Sequence, residues 1–97
     1  MAASSEIVWA NGLLRRDLGG ELEGCWIGID PAMLTMGLLE DLYGADPKQL
    51  LDSVSGCLAD GDLPHGLDRD GLRALTRSQF AEISNAVAEA YRVPKVS

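Results

Sequence analysis

The sequence predicts an α+β fold in a single domain spanning residues 1–97: a small N-terminal antiparallel hairpin or sheet packed on a bundle of three to four helices. Three observations carry this expectation. Strand-forming residues flank an Asn-Gly pair near the start of the chain. Asp30-Pro31 and Asp46-Pro47 each place a capping carboxylate before a proline, which marks a helix N-terminus. From Leu50 onward, apolar residues recur at helical spacing.

Residues 1–5 read as a frayed tail, residues 6–29 as strands and residues 30–93 as helical. Glu6 to Ala10 is rich in strand formers, and Asn11-Gly12 tolerates the positive φ angles of a tight hairpin turn. Leu13 to Leu18 is the returning strand, and Gly19-Gly20 breaks it. In Leu22 to Ile29, Trp26 and Ile27 point to opposite faces, so this strand is expected to be covered on both sides. The expected sheet has two or three strands. Whether these strands pair within one chain or between chains stays open at this level.

Asp30 to Gly44 reads as the organising core helix. Asp30 caps it, Pro31 opens it and Gly44 ends it. Met33, Leu34, Met36, Leu38, Leu39, Leu42 and Tyr43 cover most of its circumference, as in a buried helix. The next helix, capped by Asp46, carries Leu50, Leu51, Val54, Cys57 and Leu58 on one stripe and is expected to end near Asp60-Gly61. Asp62 to Gly66 reads as a loop. Asp68 caps a short helix. Thr76 and Gln79 form a capping box for the last helix, with Leu75 and Phe80 as its hydrophobic staple and Pro94 as its stop.

The net charge of −7 excludes duplex DNA or RNA and anionic membrane surfaces as default partners, because phosphate binding rests on clustered Lys and Arg. It permits a basic protein partner. Two separated cysteines, Cys25 and Cys57, form neither a zinc motif nor a disulfide framework and read as buried thiols in a reducing compartment. No apolar run reaches the length of a membrane span, and the start MAASSE lacks the features of a signal peptide. The expected location is cytoplasmic.

No residue set supports catalysis, a metal or a cofactor. His65 stands near Asp60, Asp62 and Asp68 in a Pro/Gly loop, with no nucleophile close in sequence. Asp68 to Phe80 has the outline of a calcium loop. However, Leu72 replaces a ligand, Arg73 replaces the glycine and Gln79 replaces the bidentate glutamate. Capping by Asp68 and Thr76 explains the same residues without metal. The glycines at 19, 20, 24 and 28 form no phosphate loop.

Three segments carry a family resemblance. LTMGLLEDLYG (residues 34–44), GDLPHGLDRDGLRAL (residues 61–75) and LTRSQFAEISNAVAEAYRVPK (residues 75–95) resemble the helix, the acidic loop and the closing amphipathic helix of the small tail assembly chaperones of long-tailed actinobacterial phages. The resemblance spans residues 34–95 and includes no catalytic motif. It implies a non-enzymatic protein that coats the helical tape-measure protein until the tail tube polymerises. The family carries no fixed site residues, so none is transferred.

The function expected is therefore an intracellular protein-binding module acting on a helical segment, with a homo-oligomer also allowed and neither nucleic acid nor membrane as partner. A structural or adaptor subunit of a particle and an acidic nucleic-acid mimic are the alternatives. The spread of acids along the chain weighs against the mimic. The candidate binding face lies on the last helix opposite Phe80, Ile83, Val87 and Tyr91. It comprises Ala81, Ala86, Ala88 and Glu89, where small residues let a partner helix approach.

Overall fold

Asn11 and Gly12 adopt φ 55° and 80°, the two positive values a type I′ turn requires. They fold the start of the chain into a hairpin of β1 (Ile7–Ala10) and β2 (Leu13–Asp17). The computed structural model describes residues 7–44 and 46–92. The expected tail at residues 1–5, the strand start at Glu6 and the stop at Pro94 lie outside the described residues, while the last helix already ends at Ala90, short of the expected residue 93. After a 3₁₀ turn at Gly20–Leu22, β3 (Trp26–Ile29) pairs with β2. The hairpin strands thus pair within the chain.

A fourth strand, β4 (Leu58–Asp62), corrects both the expected strand count and the wholly helical reading of residues 30–93. It completes an antiparallel sheet of order β1-β2-β3-β4. α2 (Pro47–Cys57) ends at Cys57 and the chain passes straight into β4. Ala-Asp-Gly-Asp after Leu58 is a poor helix sequence, and the edge of β3 offers ladder partners. Ile29 pairs with Leu58 and Gly28 with Asp60, which leaves Ala59 as a bulge. Gly61 has φ 151°, and a Cβ there would lie 2.7 Å from the Trp26 carbonyl oxygen, so this close strand approach requires glycine.

One face of the sheet carries the core. Leu14, Ile27, Ile29 and Leu58 are buried against Val54, Leu72, Ile83, Ala86 and Val87 from the helices. Among the described residues no helix packs on the other face. There Arg15 lies over the Trp26 ring at 4.2 Å from its centroid and also pairs with Asp17. β3 is therefore covered by helices on one side only, and the arginine stem shields Trp26 on the other.

The stretch Asp30–Gly44 is not the buried centre expected of it. Asp30 caps only a 3₁₀ turn, Pro31–Met33, by accepting from Ala32 N–H. Thr35 then starts a separate helix, α1 (Met36–Tyr43), accepting from Leu38 N–H at 3.2 Å. Leu38 is its one buried side chain, while Met36 and Tyr43 are 72% and 74% exposed. The central role falls to α4 (Arg77–Ala90), which opens on the Thr76–Gln79 capping box. It buries Ile83, Ala86, Val87 and Ala90. Between them, α3 (Arg69–Arg73) is capped by Asp68, which accepts from Gly71 N–H at 2.9 Å.

Candidate functional site

Helix geometry divides the four residues of the expected α4 face. Ala86 stands one turn before Ala90 and about 60° from Ile83 on the helix circumference. That places it on the core side, and it is 0% exposed. Its methyl lets α4 sit close to the sheet, so Ala86 is a packing residue and the expected face is corrected at that position. Ala81 is exposed, but on the first half of the helix. Ala88 and Glu89 are half-buried. These two line a groove of about 350 Å³ between α1 and α4 together with Leu42, Tyr43, Asn85 and Arg92.

The groove exists because α1 is short and anchored at discrete points. Tyr91 O–H donates to the Thr35 carbonyl oxygen at 2.6 Å, which holds the end of α4 to the start of α1. Ser53 O–H donates to the Asp41 carboxylate, which fastens α1 to α2. Leu38 enters the core, whereas Leu42 and Tyr43 form one wall of the groove. The opposite wall carries Ala88 between polar residues. Met36 and Tyr43, seven residues apart, present an exposed apolar stripe beside it.

Two of the groove's polar side chains are already engaged. Glu89 accepts from Arg16 at 2.6 Å, across from β2. The hydroxyl of Ser84, another lining residue, donates to the carbonyls of Phe80 and Ala81. Neither residue has a matched nucleophile or base, so the groove offers shape, apolar surface and a guanidinium at Arg92.

A second groove, of about 230 Å³, lies between α2, α3 and α4. Leu50, Leu51, Leu75 and Phe80 make its apolar floor, with Arg73 and Arg77 also lining it. Along the chain these residues fall on separate stripes. Only the packing of three helices brings them to one depression.

The other candidates resolve into structural roles. His65 is exposed, and its carbonyl backs Gly71, where any Cβ would collide with it. Asp68 is a cap. Among the described residues no group of three or more His, Cys, Asp or Glu side chains is placed to hold a metal ion. No helix among them is long and apolar enough to cross a membrane. Cys25 and Cys57 are free thiols. Cys57 is buried and donates to the Val54 carbonyl at 3.2 Å. Burial, with a smaller push from Asp30, raises its thiol to about 12. Compared with family models, with curated proteins and with solved structures, the chain matches none.

Proposed function

We propose that this chain is a non-enzymatic protein-binding module of the cytoplasm whose α1–α4 groove receives an amphipathic helix. The observation that carries the reading is the pairing of that groove with the exposed Met36–Tyr43 stripe. An amphipathic partner lays its apolar face into such a depression and leaves its polar face in water. Ala88 permits close approach of the partner backbone, and Arg92 and Glu89 border the site with both signs of charge. The resemblance to tail assembly chaperones names the partner class: a segment of a long helical tape-measure protein, kept soluble by the chaperone's net negative charge.

The test is co-purification with the tape-measure protein encoded in the same genome. Wild type is expected to hold that protein in solution. Tyr43→Asp and Ala88→Arg are expected to lose it while melting at the wild-type temperature. Full binding by both folded variants would exclude the α1–α4 groove. Loss with Arg77→Glu instead would assign binding to the groove between α2, α3 and α4.

A further inference from the structure

The two edges of the sheet are unlike. β4 is guarded: it carries the Ala59 bulge, Asp60 and Asp62, and the strained approach at Gly61. Charge and bulges of this kind stop a strand from recruiting another. β1 has none of these devices. Ile7–Ala10 reads Ile-Val-Trp-Ala, uncharged and in unbroken register with β2. Val8 is 50% exposed and Trp9 39% exposed.

We propose that two copies of this chain associate through β1, pairing antiparallel about a twofold axis so that their sheets join into one. The occupant follows from three features. The first is the ladder. The closing pair of a two-residue hairpin, here Ala10 and Leu13, is hydrogen-bonded, and bonded pairs then alternate. Val8 therefore spends its backbone groups on β2, and the N–H and C=O of Ile7 and Trp9 face outward. Centring the twofold on Val8 sets Ile7 of each copy opposite Trp9 of the other, and all of these outward groups are satisfied.

The second feature is facing. Trp9 pairs with the buried Leu14, so it lies on the helix side of the sheet at the rim of the core. The twofold keeps it on that side and covers it with Ile7 of the second copy. The third is charge. The chain carries −7 overall, but the exposed charges of the hairpin Ile7–Asp17 are Arg15 and Asp17, which pair with each other, while Arg16 is buried against Glu89. Repulsion between two copies is least at this end. The guarded β4 edge limits the assembly to a closed dimer rather than a fibre.

Four residues of edge give an interface well short of the ~800 Å² per partner of a standard complex. Association is therefore weak and belongs at concentrations of roughly 0.1–1 mM. Sedimentation velocity over that range is expected to show the 10.3 kDa monomer converting to a species of twice the mass. Val8→Glu is the discriminating variant. Within one chain the new carboxylate would sit across from Arg15, a favourable pair, whereas in the dimer it would face its own copy. This variant is expected to stay monomeric throughout while melting at the wild-type temperature.

In a mixed-label NMR sample, the Hα protons of Val8 from the two copies are expected to show a cross-peak, since such a non-bonded pair has Cα atoms ~4.5 Å apart. A monomer up to ~1 mM, a dimer that survives Val8→Glu, or a dimer without that cross-peak would each overturn the proposal. If Val8→Glu does not fold, the cross-peak in the wild-type protein decides. The α1–α4 groove plays no part in these readouts, so the two proposals fail separately.

Discussion

Cys57 ties local chemistry to stability. Its thiol ordinarily titrates at 9.0 and is held up to about 12, chiefly because burial penalises the thiolate. Below pH 9 both folded and unfolded chains keep the proton, and the stability associated with this group is fully present. Between pH 9 and 12 the unfolded chain ionises and the folded chain does not. Stability is then expected to fall by about 1.4 kcal/mol per pH unit. Tyr91 is also pushed upward, mainly by burial, and contributes in the same direction at higher pH. Denaturant unfolding across this range checks the sign, and Cys57→Ala is expected to remove the part of the slope that begins at pH 9. Thiol-directed reagents at neutral pH are expected to modify Cys25 in the folded protein and Cys57 only on unfolding.

Among the elements, α1 is the one whose role differs most from its composition. Its apolar residues are numerous enough for a core helix, but Thr35 takes the N-cap and cuts the stretch into a 3₁₀ turn and eight helical residues. So short a helix is held by its contacts and not by its own propensity. Two leucines of one helix should therefore respond unequally. Leu38 is buried, and Leu38→Ala is expected to cost about 2–5 kcal/mol. Leu42 stands half-buried at the groove wall, and Leu42→Ala is expected to cost about half as much, roughly 1–2 kcal/mol. Urea unfolding of the two variants measures the difference. Equal losses would mean that α1 is buried to the same depth along its length.

At the scale of the whole molecule, the Arg16–Glu89 pair joins the sheet to the far half of α4. Arg16 is buried among apolar residues on the core face, and its Nε finds no partner among the described residues. Glu89 is 43% exposed, so the two ends of the pair carry different risks. Glu89→Ala strands a buried guanidinium and is expected to cost about 1–3 kcal/mol. Arg16→Met removes the charge and the orphan donor together, leaves a carboxylate that water can reach, and is expected to be neutral or stabilising. Thermal melts of both variants distinguish a pair kept for stability from one that positions α4. Opening of the α1–α4 groove in the Glu89 variant, seen as loss of the Tyr91–Thr35 hydrogen bond, would assign the pair the positioning role.

What the sequence alone determined was local. The Asn11-Gly12 turn, the caps at Asp30, Asp46, Asp68 and Thr76, and the stripe of Ile83 and Val87 all act within a few residues, where backbone hydrogen bonding and helical period leave few alternatives. The α+β class follows from those signals. Tertiary structure decided what depends on residues distant in sequence. β4 forms because the edge of β3 stands ready to pair with it, and a short Ala-Asp-Gly-Asp run announces no strand by itself. Ala86 is buried because the sheet lies directly beneath it. An alanine has too little apolar surface to mark its own side of a helix, so the sequence could assign it to either face. The binding groove shares that origin. Ala88 and Glu89 were legible as a face of α4, but the wall opposite them comes from α1, whose position is set by Leu38 in the core and by Tyr91 reaching Thr35 across 56 residues.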